Sequence, residues 1–400
     1  KVGETNLTVK GNTVVEGGVF GGGDESAISP NPDYSKDHPD IKGDTKVTIQ
    51  ATGGTIANVF GGGNTADVDG DAQVNMTSGT VSNDVFGGGR GASTVVSGDV
   101  TVNLGAKDGS GNLSGKGVVQ GNVYGGSALG AVNATTLNIY KGTVVGNVFG
   151  GGLGQLAVGE PGNEGYIAPI VATNYGQLTL NMEGGTVSTA VYGGANVNGV
   201  LKQDATVTIT GGTVGTVATP IRNAVFGGGY GEPTLVNGDV TVNIGREKTG
   251  EETEHVGEAT INGHVYGGGA MGSVNASKSG DDPMVFYTDG ETAKKTYVNL
   301  LKGTIKGDAY GGGLGQKNGL NEATSDVEAY VGGDVTVTLD GAIVQQVFGA
   351  NNLNGTPKGH VKVWVKRTMN STKSNDTPRD SRTTYRSRSE ERRVGKECRS

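Results

Sequence analysis

Three aspartates at alternate positions, Asp67-Val68-Asp69-Gly70-Asp71, are the residues of this chain best spaced for metal chemistry. Carboxylates at that spacing bring hard oxygens together, which is what a calcium ion requires. The ligand set is incomplete, because a full EF-hand loop places Glu at its twelfth position and Ser78 stands there. Gly70-Asp71 is also the Gly-Asp pair that precedes extended runs at Asp44, Asp99, Asp239 and Asp334, so a structural turn competes with the calcium reading. No cofactor other than calcium is expected.

Glycoside hydrolysis is the second chemistry to weigh, and it needs two carboxyl groups converging at about 5–9.5 Å. Acidic residues gather at Asp24 and Glu25, at Asp33, Asp37 and Asp40, at Glu251, Glu252 and Glu254, and at Asp281 and Asp282. They read as solvated loop charge, because a single site would interrupt the repeat described below and the chain repeats itself throughout. His38, His255, His264 and His360 are scattered without ligand spacing and read as surface or turn residues. No nucleophile-elbow motif supports Ser-His-Asp catalysis. The Gly-rich run after Phe226 has no following Lys-Ser/Thr and no helix to receive an anion. No residue is therefore assigned to catalysis.

What would position any such residue is a repeated unit. A Val or Ala, then Phe or Tyr, then Gly recurs at Phe20, Phe60, Phe86, Tyr124, Phe149, Tyr192, Phe226, Tyr266, Tyr310 and Phe348. One unit, residues 43–63, reads GDTKVTIQATGGTIANVFGGG. Its β-branched residues alternate with period two and are bounded by Gly, which predicts short strands and tight turns. Nothing in it has a helical period. Runs such as Val74-Asn75-Met76, Val102-Asn103-Leu104 and Val242-Asn243-Ile244 recur in every unit. Alternation puts the aliphatics on the core face and Asn or Thr on the outer face as a ladder. The aromatic slot predicts a stacked column, and its mixture of Phe with Tyr predicts one ring edge near water. Glycines such as Gly62 are expected at positive φ, where they would permit sharp corners.

The closest aromatic spacing, 25 residues from Tyr124 to Phe149, suits one coil of a β-solenoid. The expected fold is all-β: a parallel β-helix of about ten coils, with three short strands per coil and loop insertions. A longer repeat of four coils overlies the short one. Segment 86–104 matches segment 226–244, and insertions recur at 105–117 and 245–258, and again at 156–176 and 317–330. Such rows of loops are the usual binding surface of a repeat protein.

Residues 1–365 form the expected β-solenoid domain, taken as truncated at both ends. Residues 366–387 read as a polar, basic loop or tail. The last thirteen, RSEERRVGKECRS (388–400), resemble the translation of a common sequencing-library adapter and are set apart from the fold. The only cysteine, Cys398, lies there, which leaves no disulfide scaffold and no thiolate metal site. Residues 366–400 hold 11 Lys and Arg against 5 Asp and Glu, so of the overall charge of −8 the first 365 residues carry −14. An acidic chain without a basic stripe is not a nucleic-acid or anionic-membrane binder. No run approaches the ~20 apolar residues of a membrane span.

The units GDVTVNL, GGTV and VFGGG resemble the Gly/Asn/Thr-rich repeats of large bacterial β-solenoid exoproteins, the adhesin-like and autotransporter-passenger-like class. The resemblance covers about residues 1–365 and rests on repeat style. It implies an extracellular or cell-surface stalk, structural and adhesive rather than catalytic, whose loops contact host or microbial glycans or proteins. End-to-end self-association through exposed coil edges is also expected. The alternative is a carbohydrate-active β-helix enzyme, a polysaccharide lyase or glycoside hydrolase, or its flanking coils. An ice-binding face would need sustained Thr-x-Thr rows; Thr206 with Thr208 and Thr336 with Thr338 qualify, but most coils place Asn there.

Overall fold

A computed structural model describes residues 3–30, 42–216 and 223–367, apart from positions 251, 253, 281, 289 and 322. Residues 368–400, and with them the adapter-like segment and most of the polar tail, lie outside the described residues. So do Asp33, Asp37, Asp40, His38, Glu251 and Asp281.

The recurring Val-x-Val-Asn-Leu runs build one parallel sheet of eleven strands, one per coil, from Thr5–Asn12 to Val361–Arg367. Like stands over like: Val100–Leu104 pairs residue for residue with Thr135–Ile139, so Val102 meets Leu137 and Asn103 meets Asn138. A second sheet of seventeen strands is made largely of dipeptides, two from each coil, as in Val118–Val119 and Val123–Tyr124. A third sheet has six strands, including Ala131–Val132. Every pairing between coils is parallel. Antiparallel pairing is confined to insertions, such as Ala106–Lys107 with Leu113–Ser114. The described residues form a parallel β-helix of eleven coils. A complete coil contributes to three sheets, and its middle face is divided into two dipeptides by the residues between the Thr-Val and Val-Phe runs.

The long-sheet aliphatics point inward and are essentially inaccessible, as at Val47, Ile49, Val74, Leu137, Val207 and Val242. Burying such a side chain stabilises by about 1.5–3 kcal/mol. Each coil supplies only a few, so stability accrues coil by coil and interface by interface. Asn and Thr of the same strands face outward and stay half-exposed.

The glycine triplets do something other than supply positive φ. Gly62 is not left-handed; a Cβ there would lie 2.7 Å from the Gly89 nitrogen and 3.0 Å from the Gly88 carbonyl carbon. The backbones of neighbouring coils meet at this corner, and only the absence of a side chain permits it. Left-handed glycines lie elsewhere, as at Gly142 (φ 116°), just before the dipeptide Thr143–Val144. Gly62→Ala should lower the urea midpoint by an amount equivalent to about 1–3 kcal/mol of overpacking. Gly17→Ala, whose added Cβ meets nothing within 4 Å, should leave it unchanged. Equal midpoints for Gly62→Ala and the parent would remove the close-approach assignment.

Candidate functional site

Asp67, Asp69 and Asp71 are exposed and do not form a shared pocket. The Val95 backbone N–H donates to Asp67 Oδ1 at 2.8 Å, and the Asp99 N–H donates to Asp71 Oδ1 at 2.8 Å. Two of the three carboxylates are thus turned along the stack toward the next coil. Among the described residues, no group of three His, Cys, Asp or Glu side chains is placed to hold a metal ion. The aspartates at the turns leading into the long-sheet strands form a ladder of their own. Asp44 accepts from the Asp71 N–H (2.8 Å), Asp204 from Asp239 (2.8 Å), Asp239 from Lys295 (2.9 Å) and Asp334 from His360 (2.7 Å).

A second, interrupted ladder occupies the position two residues before several of the aromatics, with Gly18, Ala190 and Ala224 standing there in other coils. Asp84 Oδ1 accepts from the Asn122 N–H (2.6 Å), Asn122 Oδ1 from Asn147 (2.8 Å), and His264 Nδ1 from Asp308 (2.9 Å). The signal was present in the sequence as a recurrent acceptor at that place. Burial pushes the Asp84 carboxyl above its ordinary range, and the bonds from Asn122 only partly oppose it. Burial likewise lowers His264 against the opposing charge of Asp308. Because His264 Nδ1 accepts a backbone N–H, the neutral ring carries its proton on Nε2. His264 is a partly buried turn residue. His255 is no surface residue either: its side chain is 10% exposed, with Nε2 3.3 Å from Asp340.

The ten aromatics form one continuous column. Successive ring centroids are 4.6 to 5.1 Å apart, with planes within 11° of parallel. That distance is the spacing between adjacent strands, so the rings stack because the coils do. The column lies apart from the main aliphatic core and packs with Ala128, Leu153, Leu314 and Leu353, which follow the glycine corners. Phe60 through Tyr310 are buried, which corrects the expectation of a ring edge near water. Two of the four column tyrosines find amides instead. Asn196 Nδ2 donates to the Tyr124 hydroxyl at 2.9 Å, and Asn352 Nδ2 to the Tyr266 hydroxyl at 2.8 Å. In each case the amide comes from four residues past the aromatic two places further along the column. Burial with the Asp308 charge pushes the Tyr310 hydroxyl up to about 12.

The insertions are hairpins, and two of them lie back on the stack. From 105–117, Lys107 reaches Glu183 at 2.5 Å. From 245–258, Glu254 meets Lys302 (2.8 Å) while Arg246 and Glu252 pair at 2.6 Å. The hydrogen bonds from Arg246 hold the exposed Glu252 carboxyl down to about 2. Burial acts to raise Asp340, but Arg367 (2.5 Å) and His255 outweigh it and leave its carboxyl below the ordinary range. The second pair of insertions is marked by the antiparallel bridges Gln155–Ile170 and Gln316–Val327. The first of these exposes Leu156, Val158 and Ile167. A shallow groove of about 510 Å³ is lined by Phe20 and Phe60 together with Glu16, Asn58, Arg90 and Gln155.

The outer face of the long sheet carries two rows in register. One runs Thr101, Thr136, Thr179, Thr206, Thr241; the other runs Asn103, Asn138, Asn181, Thr208, Asn243. Amides link along the second row, with Asn138 Nδ2 donating to Asn103 (2.9 Å) and Asn181 Nδ2 to Asn138 (3.0 Å). Trp364 stands in register opposite Thr338, with Lys362 Nζ 4.0 Å from the ring centre.

No family model, curated protein or solved structure matches this chain. Among the described residues, no helix is long and apolar enough to cross a membrane.

Asp84→Asn keeps the acceptor for Asn122 and removes the half-buried charge. A carboxyl raised by folding makes the parent lose stability as pH rises through its folded pKa, with the full contribution present only below the unfolded value. The variant should therefore be more stable than the parent at neutral pH, with the advantage vanishing in acid, as read from unfolding midpoints across pH. Tyr124→Phe leaves Asn196 without its acceptor and should lower stability by about 1–2 kcal/mol in the same measurement.

Proposed function

We propose that this chain is a non-catalytic structural and adhesive region of a large bacterial cell-surface or secreted protein. The observation that carries this reading is where the polar side chains are used. Aspartates and asparagines at the turns bond the next coil, and Glu252 and Glu254 bond neighbouring cations. These groups serve the rod rather than converge on a substrate. Repeat style supports the extracellular assignment.

The four-coil repeat also sets equivalent hairpins, 105–117 and 245–258, at the same edge of the stack. At about 4.8 Å per coil they stand roughly 19 Å apart. Regular display of weak contacts along a rod gives avidity without a deep pocket. Its partners are surface glycans or proteins of a host or of other microbes.

The test incubates the chain with insoluble host and plant polysaccharides and measures both pelleted protein and newly released reducing ends. Pelleting without product is expected. Product release would overturn the non-catalytic reading in favour of a carbohydrate-active β-helix enzyme, and absence of pelleting across glycan and matrix-protein panels would remove the adhesive one.

A further inference from the structure

We infer that the outer face of the long sheet is itself a binding surface, for a neutral, extended polysaccharide chain lying along the stack. The inference rests on the adhesive reading above but places the contact on the sheet rather than on the inserted loops.

The hydrogen-bonding capacity of the face is the first ground. In the amide row, Asn103 and Asn138 each give one N–H and one oxygen lone pair to the ladder. A side-chain amide has two of each to offer. The second N–H and second lone pair of each amide take no further side-chain partner among the described residues, and the residues are half-exposed. The hydroxyls of Thr101, Thr136, Thr179, Thr206 and Thr241 likewise stand half-exposed in register on the parallel row. Each coil therefore presents one hydroxyl beside one amide or a second hydroxyl, and the set repeats at the strand spacing of about 4.8 Å.

Charge is the second ground. The first 365 residues carry −14, yet the outward rows from Gln73 and Asn75 to Thr241 and Asn243 contain no charged residue. Aspartates flank these rows, at Asp71, Asp99, Asp204 and Asp239, so a neutral strip bordered by carboxylates matches a neutral ligand and disfavours an anionic one. The third ground is aromatic. Beyond Thr241 the first row continues with Tyr297, half-exposed on the same face. Ring faces beside amides and hydroxyls suit a sugar, which is polar at its hydroxyls and apolar at its C–H face.

A polysaccharide with sugar units about as long as the coil spacing would meet one Thr-Asn pair per unit. Each contact is weak, and linked contacts multiply. Binding should therefore grow with ligand length, which a single pocket would not produce.

Cello-oligosaccharides of two to eight units, titrated calorimetrically into the full chain, serve as the probe. Affinity should rise by roughly a hundredfold from the disaccharide to the hexasaccharide, then level off. Thr136→Val with Thr179→Val keeps side-chain shape and strand preference, and should weaken hexasaccharide binding by about tenfold at an unchanged melting temperature. Thr101→Lys with Thr206→Lys adds charge to the rows on well-separated coils and should weaken it further. No gain with length, or valine and lysine variants that bind like the parent, would overturn the inference. Adsorption to growing ice with no oligosaccharide binding would also overturn it, assigning the rows to ice. If the variants still pellet with polysaccharide while removal of the 105–117 and 245–258 hairpins abolishes pelleting, the adhesive reading survives and the sheet-face inference falls.

Discussion

The backbone hydrogen bond between one coil and the next is the interaction on which everything else in this rod depends. It sets a single spacing, and each side-chain array adopts that spacing because it has no other available. Rings stack at 4.6 to 5.1 Å, Asn amides link at 2.8 to 3.0 Å, and turn carboxylates reach the N–H of the following coil. A coil alone could not bury its aliphatics or pair its edges. The glycine corners are where this dependence is tightest, since the backbones there approach too closely for any Cβ.

Polar residues follow the same logic. In a globular enzyme, a carboxylate without a neighbouring cation in a cleft is a candidate for chemistry. Here the turn carboxylates that first attract notice are tied to backbone donors one coil away. Asp84 shows the limit of the arrangement: its side chain fits the acceptor ladder that Asn58, Asn122 and Asn147 also use, but its charge is carried into a half-buried corner. The amides at the equivalent places meet the same need without that burden. Tyr124 and Tyr266 make a parallel case, because Asn196 and Asn352 give buried hydroxyls the partners that water would otherwise supply.

Much of this was legible in the residues. Alternation in Val102-Asn103-Leu104 foretold inward aliphatics and an outward amide ladder, and the aromatic-Gly period foretold the column. The four-coil repeat located both pairs of hairpins. Less legible was the role of Gly62, because a glycine needed for close approach and one needed for positive φ look alike in a string. The bend that divides the middle face was hidden for a related reason: Thr143-Val144 and Val148-Phe149 could equally have been one bent strand. The acceptor two places before four successive rings was visible as a pattern in Asn58, Asp84, Asn122 and Asn147, but its purpose required knowing which N–H lies above it.

The sequence alone determined the architecture, since period-two alternation, a fixed repeat length and glycine punctuation leave a parallel stack as the arrangement that satisfies them together. Tertiary structure decided what each polar group does. Asn122 and Asn147 on adjacent coils are 25 residues apart and Tyr266 and Asn352 are 86 apart, and the insertions make such separations unequal. No local pattern could therefore show that Asp71 would face the Asp99 N–H rather than its neighbours Asp67 and Asp69. Only the register of the stacked coils places them.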